Sequence, residues 1–271
     1  MAHIQDRPIG VFDSGIGGLT VAAALRRRLP GEEIIYLGDT ARVPYGTKSS
    51  RTVNRYALEC ALFLFNRGVK MIVVACNTVS AVALPRLKSV LKVPMIGVIE
   101  PGVAAGLKAS KAGRIGVIGT PSTIASGEYQ RLLLQNDPSI QVSAKACPLL
   151  VPMAEEGRLK GPVVDLALNE YLGPLRRQKI DTLILGCTHY PLFKEAIGGV
   201  LGEGITLVDS AEAVAAEVEG VLLRESLLRT YGPGAMLCCV TDVPRQFGRI
   251  GRTFFGEGLG RVHRVTLGEG F

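Results

Sequence analysis

Hydrophobic residues along this chain fall into short runs that alternate with longer stretches of helical spacing. Several runs are apolar at consecutive positions, which is typical of strands buried on both faces of a parallel sheet. The stretches between them, such as 19–29 and 51–65, repeat apolar residues at helical intervals. The pattern predicts an α/β fold in which parallel sheets are flanked by helices. The predicted strands are 9–12, 33–37, 71–75, 95–98, 115–118, 140–144, 182–185 and 205–208.

The two halves of the chain also resemble each other weakly. The sequence IGVFDS at 9–14 resembles IGVIGT at 115–120, and VVACNT at 73–78 resembles ILGCTH at 184–189. Because the two matches keep their order and nearly the same separation, we predict two similar α/β domains that face each other. The first domain is expected to comprise residues 1–98 plus 210–271, with a helix over 211–228. The second is expected to comprise residues 99–209.

Four of the predicted strands end in loops that carry small polar residues or a cysteine. Ligands of open α/β sheets bind beyond the carboxyl ends of the strands. If the two domains face each other, these loops converge on one cleft, and Cys76 and Cys187 approach it from opposite sides. We therefore expect an active site in the cleft between the domains.

Opposed thiols suit the inversion of a stereocentre, which needs a base on one face of a carbon acid and an acid on the other. A thiol has an ordinary pKa of about 8.5 and can serve in either role. His189 lies two residues beyond Cys187 and could help to set its protonation, and Asp13 could act similarly near Cys76. The remaining cysteines are interpreted as small buried hydrophobes; they are Cys60, Cys147, Cys238 and Cys239.

Short neutral side chains in the same loops suit the carboxylate and ammonium groups of a free amino acid. They are Ser14, Asn77, Thr78, Thr120 and Thr188. The glycine-rich segment 15–18 lacks the spacing of a dinucleotide loop and is followed by no Walker lysine, although its backbone amides could hold a carboxylate. No lysine in a matching loop suggests a pyridoxal phosphate Schiff base, and no cysteine pair suggests a metal site. We therefore expect neither a cofactor nor a metal.

The net charge of +7 could indicate nucleic-acid binding, but the basic residues are mostly dispersed. We interpret them as a solvated surface and do not expect a nucleic-acid partner. The amino terminus has no apolar stretch like a signal peptide, and no apolar run reaches membrane-spanning length. A cytoplasmic protein with reduced thiols and no membrane association is therefore expected.

Several longer segments carry a resemblance to a known family. They are VFDSGIGGLT at 11–20, GDTARVPYG at 38–46, ACNT at 75–78, IGT at 118–120 and LGCTHYPL at 185–192. With these segments the sequence resembles the bacterial glutamate racemases of the aspartate/glutamate racemase superfamily. The resemblance covers roughly residues 8 to 210, and the last 35 or so residues match less distinctly.

The resemblance implies a cofactor-independent enzyme that interconverts L- and D-glutamate and supplies D-glutamate for peptidoglycan synthesis, cell-wall biogenesis and cell shape. It places the paired catalytic cysteines on Cys76 and Cys187. It places an assisting acid on Glu155, although the adjacent Glu156 stays an alternative. The substrate-binding residues that it implies are Asp13, Ser14, Tyr45, Gly46, Asn77, Thr78, Thr120, Thr188 and His189.

Other functions stay open at this level. The chain could racemise another acidic amino acid such as aspartate, or act as a decarboxylase or isomerase of the same superfamily. A decarboxylase is disfavoured because it needs a proton donor on one face only. A regulatory binding protein is an alternative from a different class. We expect a homodimer, and the resemblance leaves an interaction with DNA gyrase open, for which the sequence identifies no surface.

Overall fold

The computed structural model describes residues 3–243, 247–256 and 258–268, with residues 248 and 249 described for their backbone alone. Its strands are β1 (Ile9–Asp13), β2 (Ile34–Gly38), β3 (Met71–Val74), β4 (Met95–Gly97), β5 (Arg114–Gly119), β6 (Gln141–Ala146), β7 (Thr182–Gly186), β8 (Thr206–Val208), β9 (Met236–Val240) and β10 (Val262–Arg264). All the strand pairs are parallel.

Helices connect and flank these strands. They are α1 (Leu19–Arg28), α2 (Ser50–Phe65), α3 (Asn77–Val82), α4 (Leu84–Val90), α5 (Ile99–Ala109), α6 (Pro121–Ala125), α7 (Glu128–Asn136), α8 (Leu150–Glu155), α9 (Pro162–Arg177), α10 (Lys194–Leu201), α11 (Ala211–Arg224) and α12 (Phe247–Phe255), with 3-10 turns at Ile4–Asp6 and Tyr190–Phe193. Within the described part of the chain, no helix combines the length and the apolar character needed to cross a membrane.

The strands form two sheets that repeat one topology. The larger sheet has the order β10-β9-β2-β1-β3-β4, and the smaller sheet has the order β6-β5-β7-β8. The order of four neighbouring strands in the larger sheet, β2-β1-β3-β4, therefore matches the order β6-β5-β7-β8 of the smaller sheet strand by strand. The predicted α/β fold with two similar, mainly parallel domains is confirmed.

All eight predicted strands are present, but the prediction omitted two others. β9 carries the same consecutive apolar pattern and ends in buried residues, whereas β10 is a short and largely exposed edge strand without such a pattern. Both extend the larger sheet. The predicted helix over 211–228 is too long, because α11 ends at Arg224 and Ser226 adopts a left-handed φ of 56°.

One buried apolar cluster runs through both halves of the molecule. It includes Val11 and Val73 from the larger sheet and Val117 and Ile184 from the smaller one. Residues of α5 and α11 belong to the same cluster. The two sheets therefore share a hydrophobic core on one side, and the division of the chain at residues 98 and 210 stays a prediction.

A buried ion pair lies at the end of the larger sheet where β2 and β3 begin. The Lys70 ammonium lies 2.5 Å from the Glu32 carboxylate, and the two side chains are 0% and 1% exposed. Lys70 also donates to the carbonyls of Gln5 and Leu227 at 2.7 and 2.9 Å. The Glu32 carboxylate accepts from the backbone N–H of Arg229 at 2.8 Å. The pair thus ties the amino-terminal turn and the segment after α11 to the sheet.

We expect Lys70→Met to lower the free energy of unfolding by about 3–5 kcal/mol, because it leaves the Glu32 carboxylate buried without its partner. Arg27→Ala is the matched control, since the Arg27–Glu212 pair is 64% exposed on both sides and such pairs contribute less than about 1 kcal/mol. Urea unfolding followed by circular dichroism measures both. Equal losses in the two variants would contradict the expectation.

Candidate active site

A cavity of about 220 Å³ opens at the carboxyl ends of the two sheets. Residues that follow β1, β3, β5 and β7 line it, together with parts of segments 43–47 and 148–155. It brings together all but one of the site residues predicted from the sequence. These are Ser14, Tyr45, Gly46, Cys76, Asn77, Thr78, Thr120, Glu155, Cys187, Thr188 and His189.

Cys76 lies between the end of β3 and the first turn of α3, for which it is the N-cap residue. Its Sγ lies 3.6 Å from Ser14 Oγ. Burial raises the pKa of the Cys76 thiol to about 12; Asp13 adds to this, and the backbone N–H of Val79 and the Ser14 hydroxyl oppose it. The neutral thiol is therefore strongly favoured at this position.

Asp13 is the predicted residue that lies behind the cavity wall rather than in its lining. It ends β1 with a side chain that is buried, and its Oδ2 accepts from the backbone N–H of Gly15 at 2.9 Å. Burial raises the pKa of Asp13, while the charge of His189 and nearby backbone N–H groups oppose the rise. Its Oδ1 is buried and has no hydrogen-bond partner in the described part of the chain. Asp13 therefore lies next to the cavity without lining it, and it raises the pKa of the neighbouring Cys76.

Cys187 follows β7 and has a different electrostatic partner. Its Sγ lies 3.9 Å from Nδ1 of His189, and Nε2 of His189 lies 3.2 Å from Glu155 Oε1. Burial lowers the pKa of His189, but the interactions with Cys187 and Glu155 outweigh it and raise the pKa to about 10. The two ring nitrogens of His189 therefore face Cys187 and the Glu155 carboxylate, and these interactions favour the charged form of the imidazole. Glu156 is exposed, so the structure places Glu155 at this site.

The glycine-rich segment after β1 is needed for close packing around these groups. A Cβ on Gly17 would lie 2.6 Å from His189 Nδ1, and a Cβ on Gly18 would lie 2.5 Å from Asp13 Cβ. No real side chain tolerates such distances. These two glycines therefore let α1 start directly against the charged groups of the cavity.

Three threonine hydroxyls join the two sheets at the cavity wall. Thr78, in the first turn of α3 after β3, lies 3.0 Å from Thr120, which follows β5. Thr123 lies 3.3 Å from Thr78 and 2.9 Å from Thr120. Sequence reasoning missed Thr123, although its backbone N–H bonds to Thr120 as the N-cap of α6, a pattern that the sequence TPST at 120–123 could have indicated.

The loop that carries Tyr45 and Gly46 covers one side of the cavity. The Tyr45 hydroxyl donates to the carboxylate of Asp39, so a substrate contact at this position would come from the ring or the backbone. The Gly46 carbonyl accepts from the backbone N–H of Ser122 at 3.0 Å. A Cβ on Gly46 would lie 2.5 Å from Thr120 Cβ, so the loop needs glycine to approach α6 this closely.

Asp39 anchors this loop and was missed by the sequence reasoning as a site residue. It is fully buried, and its carboxylate accepts from Arg42 Nε at 2.6 Å and from the Thr241 hydroxyl at 2.8 Å, in addition to Tyr45. A carboxylate with three donors is well satisfied despite its burial. The signal in the sequence is an aspartate directly after an apolar strand, with an arginine three residues later. Further lining residues that were missed are Val43, Pro44, Thr47, Pro121, Pro148, Val151 and Pro152.

Comparison with known proteins agrees with this geometry. The pattern of the Asp/Glu/Hydantoin racemase family matches residues 19–218. The chain is 50% identical over 262 residues to the glutamate racemase of Geobacter metallireducens, covering 96% of this chain and 97% of that protein. The crystal structure of glutamate racemase from Francisella tularensis in complex with D-glutamate has a TM-score of 0.92 at 40% identity, covering 97% and 98% of the two chains. That of the Escherichia coli glutamate racemase with L-glutamate and the activator UDP-MurNAc-ala has a TM-score of 0.80 at 28% identity, covering 96% and 99%.

The chain belongs to the Asp/Glu/Hydantoin racemase family. Within that family, its relatives at this level of identity and coverage are glutamate racemases, which confirms the resemblance carried by the motifs. The two-domain α/β architecture with a cleft between the domains agrees with these relatives.

We expect Glu155→Gln to lower the pKa of His189, because the variant removes a negative charge 3.2 Å from the ring. Glu156→Gln is the matched control, since the neighbouring side chain is exposed, and it should leave the titration of His189 unchanged. The chain has three histidines, so ¹⁵N-histidine labelling and an NMR pH titration resolve them. An unchanged His189 titration in Glu155→Gln would contradict the assigned ion pair.

Proposed function

We propose that this protein interconverts L- and D-glutamate without a cofactor, using Cys76 and Cys187 as base and acid on opposite faces of the substrate Cα. The observation that carries the proposal is that both thiols line one cavity, each after the equivalent strand of the two repeated sheets. One thiolate accepts the Cα proton as the C–H bond breaks, and the opposite thiol donates its proton to the other face of the carbanion. The two cysteines exchange protonation states, so no net proton is gained or lost.

The charges around the cavity support this chemistry. The two cysteine side chains are 5% and 7% exposed, so interactions with a developing carbanion act in a poorly hydrated space. A protonated His189 beside Cys187 would stabilise a thiolate there. On the other side, the pKa of Cys76 is raised by burial and by Asp13, and the ammonium group of a bound amino acid would offset that rise. Substrate binding itself would then make Cys76 a competent base.

The polar residues of the cavity lining support a small substrate that carries charged groups. The cavity of about 220 Å³ is lined by Ser14, Asn77, Thr78, Thr120 and Thr188. Short neutral donors of this kind suit carboxylates and an ammonium group better than a long apolar chain. The glutamate ligands of the Francisella and Escherichia relatives favour glutamate among the acidic amino acids.

We further propose that the D-glutamate formed supplies peptidoglycan synthesis, and with it cell-wall biogenesis and cell shape, from the cytoplasm. Support comes from the family and from the activator UDP-MurNAc-ala in the Escherichia coli relative, since MurNAc is a sugar of peptidoglycan. A homodimer is proposed as the working unit. An interaction with DNA gyrase stays a prediction from the resemblance.

The substrate is tested by circular dichroism of purified protein with each enantiomer of glutamate and, in parallel, of aspartate. We expect both glutamate enantiomers to racemise, and kcat/KM for aspartate to be roughly 10- to 200-fold lower, the usual effect of one methylene group in a fitted cavity. Faster racemisation of aspartate would favour the alternative substrate. No racemisation of either amino acid would exclude the proposed function.

The two-thiol mechanism is tested with Cys76→Ala and Cys187→Ala. Each should lower racemisation by about 100- to 10,000-fold, as expected when a positioned acid or base is lost. Cys238→Ala is the matched control, because Cys238 is equally buried in β9 and does not line the cavity. Its activity should stay close to that of the unaltered protein.

Serine variants separate the roles of the two thiols. In D₂O, a protein with one cysteine replaced by serine should exchange the Cα hydrogen of a single enantiomer, and the other serine variant should exchange that of the opposite enantiomer. Full racemisation by either alanine variant would refute the mechanism.

A further inference from the structure

A hydrogen bond between two side chains crosses from one sheet to the other beneath the cavity. The hydroxyl of Tyr129, in α7 on the side of the smaller sheet, lies 2.7 Å from Oδ1 of Asn77, the first residue of α3 on the side of the larger sheet. Tyr129 is fully buried and does not line the cavity, whereas Asn77 is buried and does. The motifs and the sequence patterns assigned no role to Tyr129.

The ring of Tyr129 occupies a space that two glycines leave open. A Cβ on Gly186, the last residue of β7, would lie 3.1 Å from the ring, and a Cβ on Gly102 in α5 would lie 3.5 Å from the hydroxyl. The ring is therefore held closely on both sides. Its hydroxyl reaches Asn77 in one defined direction.

The direction of the hydrogen bond follows from the chemistry of the two groups. Burial, with a smaller contribution from Cys187, raises the pKa of Tyr129, so the phenol keeps its proton and donates it. Oδ1 of Asn77 accepts, which turns the Nδ2 group of the amide the other way. Nδ2 is buried and has no hydrogen-bond partner among the described residues. A buried N–H group without a partner costs free energy unless a ligand accepts from it.

We propose that Tyr129 is a positioning residue that fixes the Asn77 amide so that its Nδ2 group donates to a carboxylate oxygen of the amino-acid substrate. The inference rests on the proposed function and adds a residue to it. Without the phenol, the amide can rotate and present Oδ1, which would repel a carboxylate. The Nδ2 group of Asn77 is also correctly oriented only while the two halves of the molecule are in contact, since each half supplies one partner of the Tyr129–Asn77 hydrogen bond.

The first test is Tyr129→Phe, which removes the hydroxyl and keeps the ring. We expect KM for glutamate to rise roughly 10-fold, the usual effect of losing one oriented hydrogen bond to a charged group. The carboxylate is present in both the ground state and the transition state, so kcat should change much less than KM. A KM within about 2-fold of that of the unaltered protein would overturn the inference, since a lost hydrogen bond should cost more.

A double variant separates positioning from a purely structural role. If Tyr129 acts through Asn77, adding Tyr129→Phe to Asn77→Ala should change KM by less than about 2-fold, because the amide to be oriented is absent. If the increases in KM caused by the two single substitutions instead multiply in the double variant, the inference is overturned. Tyr190→Phe is the matched control: Tyr190 is equally buried in the same half, and its hydroxyl donates to the backbone carbonyl of Cys147 at 2.8 Å. It should lower Tm like Tyr129→Phe but leave KM unchanged.

A measurement on the unaltered protein keeps the inference testable if Tyr129→Phe does not fold. With ¹⁵N-asparagine labelling, the Asn77 side-chain resonances are identified by their loss in Asn77→Ala. They should shift when D-glutamate is added, and the absence of a shift at saturating D-glutamate would overturn the inference. Failure of the proposed function would appear differently, as a lack of glutamate racemisation by the unaltered protein.

Discussion

The burial of ionisable groups at the carboxyl ends of the strands is the constraint on which the site depends. Burial raises the pKa values of Cys76 and Asp13 and acts against the charge of His189. A charge persists there only where a partner compensates the lost hydration. His189 has Glu155 and Cys187 as partners, whereas the Asp13 carboxylate has one backbone N–H and an unpaired oxygen. The buried charge is therefore compensated on the side of His189, whereas the carboxylate of Asp13 beside Cys76 is only partly satisfied by the described residues.

The repeated topology explains why the two thiols line one cavity, and the differences between the repeats explain why their surroundings are not equivalent. β3 and β7 hold the same place in the two sheets, so the residues that follow them occupy corresponding positions. After Cys76 come Asn77 and Thr78, which are neutral, and after Cys187 come Thr188 and His189, which add a positive charge. A racemase must be able to start from either enantiomer. Its two bases then need similar geometry, but their charges can be balanced by different partners.

The sequence was sufficient to predict the features that depend on neighbours along the chain. Eight strands were predicted because parallel strands buried on both faces are apolar at consecutive positions, and the two cysteines were singled out because each follows such a strand. Contacts made across the fold leave no local pattern. Asp39 and Thr241 are joined by a hydrogen bond although they lie far apart in the sequence, and the bond between Tyr129 and Asn77 is of the same kind. The hydrogen bond from the Tyr45 hydroxyl to Asp39 likewise depends on how the loop folds, which the sequence pattern does not predict.

The bonds that close the cavity also set the cost of opening it. Thr78 with Thr120, Gly46 with Ser122 and Asn77 with Tyr129 each join the larger sheet side to the smaller one. A neutral hydrogen bond contributes a net of about 0.5–1.5 kcal/mol, so breaking a few of them is within reach of thermal fluctuation. Separating the shared apolar core would cost far more, because that cluster runs through both sheets and through α5 and α11. These hydrogen bonds therefore resist opening of the cavity far less than the shared core does.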